Sequence, residues 1–292
     1  MNTFSEFINS FYLWREAFIV ASVSGAICGF LGVYVILRRI VFVSVALTQI
    51  SSFGVVLAFF IQTLSIGALA SLIDPFIFSI LITSLAALFF ALKKNYFPVS
   101  QEAIIGFGFI ITSALILILG SSLPQGVDDV ESVLFGSAVL VDAKDVFIIP
   151  INALLVFVVH VILFKDLLFV SFDNETAKLF NYPVEILNIV LYLSLAVVIA
   201  LTTRALGALP VFALLVLPPM ISFQLLENIK AIFILSIVLG VISAMLGFYF
   251  SFEFSLPTGA SIAFCASILF LISFILREFK IFLLSFMNRL GI

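Results

Sequence analysis

Charge is scarce in this sequence. Only 10% of its 292 residues are Asp, Glu, Lys or Arg, while 64% are apolar; soluble globular chains carry about 25% charged residues. A water-soluble fold of this length has too little polar surface to cover so much apolar material, so lipid must serve as its solvent. Basic residues are not in excess either. The net charge of −3 excludes the cationic surface that nucleic acid requires. The two cysteines, Cys28 and Cys265, sit in apolar runs and read as small core residues, not as a disulfide or a thiolate metal site. The single histidine, His160, lies in the apolar run 146–164 and reads as a packing or interhelical hydrogen-bonding residue. No Gly-x-x-x-x-Gly-Lys segment occurs, so no phosphate-binding loop of that type is present and the chain is not expected to hydrolyse ATP itself. Acidic residues are almost missing from the apolar runs. Glu102 and Glu185 open two of them, where a helix N-terminus favours an acid. That shortage argues against an ion-coupled carrier, which keeps ionisable groups at mid-membrane. Short alternating segments of the β-barrel type are absent too.

What is present is a series of apolar runs near the 20 residues that a bilayer-spanning helix needs. They predict an all-α polytopic membrane protein with spans at about 17–37, 50–66, 75–92, 103–120, 146–164, 184–203, 208–226, 231–250 and 257–276. The sixth and seventh are interrupted at Arg204–Pro210, which leaves eight spans with one re-entrant segment as the alternative. The whole chain, 1–292, reads as one transmembrane domain. Residues 1–16 form an aromatic-rich interfacial segment and not a signal peptide, because no basic stretch precedes an apolar core. Residues 278–292 form an amphipathic tail. Counting the spans gathers Arg38, Arg39, Lys93, Lys94, Lys165, Lys178, Lys230, Arg277, Lys280 and Arg289 on one face, ten of the thirteen basic residues. Arg15, Lys144 and Arg204 fall on the other. The first face is therefore expected to be cytoplasmic, with the N-terminus outside the inner membrane and the C-terminus inside. The long 121–145 loop, with Asp128, Asp129, Glu131, Asp142 and Asp145, is then external. Small residues recur at helical spacing, Ala21-Gly25-Gly29 and Gly259-Ala263-Ser267. Such ridges are expected to pack helices closely inside the bundle.

One polar island interrupts this pattern, from Ser171 to Pro183. Asp173 is a good N-cap, Glu175 sits in the first turn and Lys178 further on. Asn181 and Pro183 end the helix. Residues 172–182 thus predict a short helix on the cytoplasmic face, either a plain connector or a docking handle.

The island resembles the coupling segment of the permease subunits of zinc, manganese and iron ABC importers, Phe-Asp-x-Glu-x-Ala, with Phe172, Asp173, Glu175 and Ala177 at the matching positions. Five other segments resemble that family in the same order: Gly32–Arg39; Glu102–Gly106; Leu134-Phe135-Gly136; Ala213–Pro218; and Leu256-Pro257-Thr258-Gly259. The resemblance implies a type II importer fold. It implies a second permease copy or paralogue, a cytoplasmic ATP-binding cassette ATPase and an extracytoplasmic metal-binding protein as partners. It also implies no resident cofactor, the divalent metal ion being cargo. ATPase docking would fall to Phe172, Asp173, Glu175, Ala177, Leu179 and Asn181. The pathway would be lined by Val45, Thr48, Gln49 and Glu102. Here the sequence departs from the family, which reads Asp-Ala-Leu-Ser-His where this chain has Val45-Ala46-Leu47-Thr48-Gln49. Val45 cannot ligate a cation and Gln49 offers only a neutral oxygen. The metal ligands are therefore unassigned, and two other readings stand: a chelate or other non-metal substrate in the same architecture, or a self-contained carrier without an ATPase.

The basic asymmetry yields a direct expectation. A cysteine at Ser122 should react with a membrane-impermeant thiol reagent from the extracytoplasmic side only; labelling solely from the cytoplasmic side would invert the orientation.

Overall fold

A computed structural model of the chain describes residues 7, 11–64, 74–92, 100–123, 134 and 144–290. Within these, eleven helices follow one another: α1 (Phe11–Leu37), α2 (Val41–Leu64), α3 (Pro75–Leu92), α4 (Gln101–Gly120), α5 (Asp145–Ile162), α6 (Phe164–Phe172), α7 (Asn174–Leu179), α8 (Val184–Leu206), α9 (Ala208–Leu225), α10 (Ile229–Phe254) and α11 (Thr258–Leu290). Nine of them, all but α6 and α7, are long and apolar enough to cross a bilayer. Lys93, Lys94, Asp128, Asp129, Glu131, Asp142, Phe135 and Gly136 lie outside the described residues.

Helix ends follow local chemistry. Asp74 Oδ1 accepts the Phe76 N–H at the start of α3, Ser100 Oγ the Ala103 N–H at α4, and Asn228 Oδ1 the Lys230 N–H at α10; each satisfies a donor that the helix itself leaves orphaned. α1 ends in a left-handed residue, Arg39 (φ 57°), with the Ile40 N–H donating to Val35 O and the Arg39 N–H to Ile36 O. This paired closure is the Schellman motif, and it turns the chain into α2 within three residues.

α1 is the central helix. It packs on α10 along most of its length and also on α9, α5 and α8. The ridge predicted from sequence makes this possible. Gly25 meets the backbone of Gly240, and Gly29 that of Ser236, whose hydroxyl donates to the Gly29 carbonyl at 2.6 Å. Gly32 faces Leu215 and Pro219 of α9. Pro219 has no N–H, so the Leu215 carbonyl is released from its intrahelical bond, and only a glycine leaves room for it. The second ridge is also internal: Gly259 and Ala263 are buried.

One span start differs from the sequence expectation, and both chain ends gain detail. α2 starts at Val41 rather than near residue 50. Its first turns are rich in hydroxyls, which lowers the hydropathy, yet Ser44 and Thr48 donate back to the Val41 and Val45 carbonyls and so are satisfied inside the helix. At the chain's start, residues 11–16 are helical and continuous with α1. Phe7 and Trp14 stack there with centroids 3.8 Å apart, beside Tyr249 and Phe248 of α10. At the other end, α11 runs without a break to Leu290, so 278–290 continue the last span's helix. Between the sixth and seventh spans stands one residue, Gly207 (φ 93°), a backbone conformation that glycine adopts at no steric penalty. α8 and α9 diverge from it, α8 toward α3 and α2, α9 toward α1 and α11. Both have membrane length, which favours nine spans over eight.

The α1–α10 contact gives a stability prediction. Gly25→Val should force the two backbones apart and lower the stability of the detergent-solubilised protein by about 1–3 kcal/mol, read as a shift in thermal unfolding. Gly106→Ala, where an added methyl meets nothing within 4 Å, should leave the transition in place or raise it. Equal destabilisation by both would remove close approach as the explanation.

Candidate functional site

Two regions carry the residues singled out from sequence. The first is a pocket of about 300 Å³ lined by Val45, Thr48 and Gln49 of α2, Phe109 of α4, Leu134, and Ala208, Leu209 and Phe212 of α9. Phe109 lies eight residues into a helix of 20 residues, so the pocket sits near the middle of α4, about 12 Å from its start. Val45 and Gln49, four apart, share a helix face as their spacing requires. The Thr48 hydroxyl is committed to the Val45 carbonyl at 2.8 Å. What remains polar at the wall is the Gln49 amide. No group of three or more His, Cys, Asp or Glu able to hold a metal occurs among the described residues, and this wall carries no charge.

Glu102 does not join the pocket. It is exposed in the first turn of α4, about 10 Å of helix rise below Phe109. Phe109, Leu209 and Phe212 were not legible as lining residues, since an aromatic in an apolar run is indistinguishable from one facing lipid. Ala208 and Leu209 follow Gly207, and the helix interruption there was the one available signal. Leu134 of the Leu134-Phe135-Gly136 segment stands at the pocket wall.

The second region is the polar island. Asp173 is extended (φ −145°, ψ 92°), accepts the Thr176 N–H and caps α7. It also ends α6, so Phe172 belongs to α6 and the short helix begins at Asn174, a narrower element than 172–182. The Thr176 hydroxyl, then its N–H, hold the Asp173 carboxyl below its ordinary value of 3.8. A lowered carboxylate pKa stabilises above the unfolded value and loses that contribution as pH falls through the lowered one, so the cap is fully formed at neutral pH. At the other end Asn181 is left-handed (φ 57°); the Tyr182 N–H donates to Ala177 O and the Asn181 N–H to Lys178 O, a second Schellman closure. Ala177 is fully buried, whereas Leu179 is 82% and Phe172 64% exposed; Glu175 and Lys178 are exposed beside them. The result is a rigid knob, capped at both ends, that turns apolar and charged side chains outward.

A third arrangement links distant segments. Asp145 of α5 is only 2% exposed and pairs with Arg204 of α8 at 3.6 Å, and the Arg204 guanidinium stands 5.2 Å from the Phe76 ring centroid. The acid that read as part of an external loop is a buried ion-pair partner. His160 behaves as expected: fully buried, its Nδ1 at 2.9 Å from the Val156 carbonyl, its ring against Phe30 and Tyr34. Cys28 and Cys265 are both buried and free.

Nine membrane-length helices among the described residues, three of them lining a pocket and a capped knob standing between the fifth and sixth, define a polytopic α-helical membrane protein. A model of the ABC 3 transport family matches residues 10–277, and the chain belongs to that family. It is 28% identical over 271 residues to a manganese transport system membrane protein, MntC, of Halalkalibacterium halodurans, covering 93% of this chain and 89% of that one. It is 30% identical over 260 residues to the chelated iron transport system membrane protein YfeC of Yersinia pestis, covering 89% and 84%. Among solved structures it is similar to PsaBC from Streptococcus pneumoniae in complex with Fab, with a TM-score of 0.80 at 27% identity over 93% of this chain and 95% of that one.

The pocket geometry predicts what would restore charged ligands. Val45→Asp combined with Gln49→His should raise the affinity of the purified chain for Mn²⁺ in titration calorimetry, and either change alone should do less. An acid facing lipid at mid-membrane would cost about 2.5–3.5 kcal/mol on insertion scales, so good expression of Val45→Asp also reports that position 45 faces the pocket. Tight Mn²⁺ binding by the unaltered chain that survives Gln49→Ala would place the ligands elsewhere.

Proposed function

We propose that this chain is the membrane-spanning permease subunit of an ATP-driven importer of a divalent metal ion, manganese or iron. The observation that carries the reading is the α7 knob. The pocket wall carries no ionisable group among the described residues, which suits a transporter driven from outside the bilayer, and a capped, outward-facing helix between two spans is a handle for such a drive. The partner is a cytoplasmic ATP-binding cassette ATPase. Leu179 and Phe172 enter a groove on it, while Asp173, Glu175 and Asn181 fix the knob's shape and charge. Closure of the ATPase on ATP moves the knob as a rigid body and switches access to the pocket. Lys165 ahead of α7 and Lys178 within it support a cytoplasmic position for this face by the positive-inside rule, with the N-terminus extracytoplasmic and the C-terminus cytoplasmic. A second permease, either another copy or a paralogue, completes the pathway, and an extracytoplasmic binding protein delivers cargo.

The pocket favours a second reading of the cargo. Its uncharged wall of Val45, Gln49, Phe109, Leu209 and Phe212 cannot offset the dehydration of a bare dication. A metal that arrives already wrapped in a chelator needs no such ligands, and the relative named for chelated iron transport agrees with that chemistry. Zinc has no comparable support.

Docking is testable. Asp173→Ala removes the cap, at about 0.5–2 kcal/mol of local helix stability, and Glu175→Arg reverses a charge on the contact face. The double variant should lose co-purification with the ATPase and its ATP hydrolysis should uncouple from the permease. Retention of both at the unaltered level would make α7 a plain connector.

A further inference from the structure

The Arg38 side chain is the point where the polar island is fastened to the pathway. Its Nε donates to Ser171 Oγ at 2.8 Å, and its Nη1 donates to Asn188 Oδ1. These partners lie 133 and 150 residues away in sequence, at the end of α6 and the first turns of α8, the two segments that bracket α7. Ser171 Oγ in turn donates to the Leu167 carbonyl at 2.5 Å. The guanidinium is held among neutral groups. Tyr34 stands one helical turn back on the same face, and His160 packs against Tyr34 with ring centroids 5.5 Å apart. No carboxylate pairs with Arg38 among the described residues. Nε and Nη1 each meet an acceptor while Nη2 meets none among the described residues; the planar guanidinium holds its two acceptors in one plane, a geometry that the freely rotating lysine ammonium does not impose.

On the other side, the backbone runs from Arg38 directly into α2, which lines the pocket. The Schellman closure at Arg39 and Ile40 locks α1 to α2 within three residues, and the Val43 N–H donates to the Ile40 carbonyl. Val45 follows one turn later and Gln49 two. A displacement of Ser171 and Asn188 therefore pulls on Arg38, and through a turn with no slack on the first turns of α2.

We propose that Arg38 is a positioning residue for transport: its fork onto Ser171 and Asn188 transmits movement of the α7 knob to the α2 segment that lines the pocket. This rests on the docking reading of α7. It assigns a role to the first arginine of the Arg38-Arg39 pair, which touches neither cargo nor ATPase.

The test uses the permease–ATPase complex in lipid nanodiscs. Cys28 and Cys265 are replaced by alanine and a reporter thiol is introduced by Val45→Cys. The labelling rate with a small methanethiosulfonate reagent is compared without nucleotide and with ATP plus vanadate. In the otherwise unaltered complex the two rates should differ by at least about fivefold, the low end of ordinary allosteric coupling. In complexes carrying Arg38→Lys, or Ser171→Ala together with Asn188→Ala, the ATPase should still bind and the difference should disappear. The double variant leaves the arginine in place, so the two constructions fail in different ways if either merely misfolds. A full nucleotide-dependent difference in both variants overturns the proposal while leaving the docking reading intact. Loss of ATPase binding in Arg38→Lys, with the α7 sequence untouched, also overturns it, because Arg38 would then be a prop for the knob. Failure of the unaltered chain to bind any ATPase overturns both readings together.

Discussion

The close approach of α1 to α9 and α10 is the contact on which the other elements depend. In lipid there is no hydrophobic gain from bringing two apolar helices together, so association has to come from packing and from polar groups that meet across the interface. Gly25 against Gly240, Gly29 against Ser236 and Gly32 against the Leu215 carbonyl supply both. α1 thereby becomes the fixed post of the bundle. Its far face carries α5 and α8, and its end carries Arg38 and the turn into α2. With α1 fixed, α2 is presented to α4 and α9 at the height where the pocket forms, and α6 is brought against α1 and α8 so that α7 projects from the surface.

The proposed function separates two tasks that self-contained carriers combine. In that reading, binding falls to the pocket with its uncharged wall, and the mechanical input to the capped helix outside the spans. Most hydroxyls inside the bundle bond back to their own helix, but a few polar groups join helices. Ser51 and Ser79 tie α2 to α3 at 3.1 Å, Asp145 and Arg204 tie α5 to α8, and Arg38 ties α1 to α6 and α8. Groups that join elements in this way define rigid units and leave the joints between them as the places where shape can change.

Much of this was legible in the sequence because one physical variable, residue hydropathy over about 20 positions, decides where a chain can cross a bilayer. The spans, the small-residue ridges, the Asp173 cap and the Asn181 stop all follow from local spacing. The start of α2 was misjudged because hydropathy counts the hydroxyls of Ser44 and Thr48 as polar surface, although the helix satisfies them internally. Pairings across the fold left no local trace. Arg38 reads as one more basic residue at a membrane boundary until Ser171 and Asn188 are brought to it, and Asp145 reads as part of an acidic loop until Arg204 covers it. The pocket walls were half visible: Val45, Thr48 and Gln49 came from the family resemblance, Phe109 and Phe212 only from the fold, and Glu102 stands apart from them.

The central claim is that this chain carries metal across the membrane under ATPase drive, and cellular uptake tests it most directly. Accumulation of labelled manganese and iron, free and chelated, would be followed in cells with the chain deleted and with it restored. The account predicts loss of saturable uptake of one of these cargoes on deletion, regained only when the chain and its ATPase are both present. Unchanged uptake of all of them, or uptake restored by the chain without any ATPase, would contradict it.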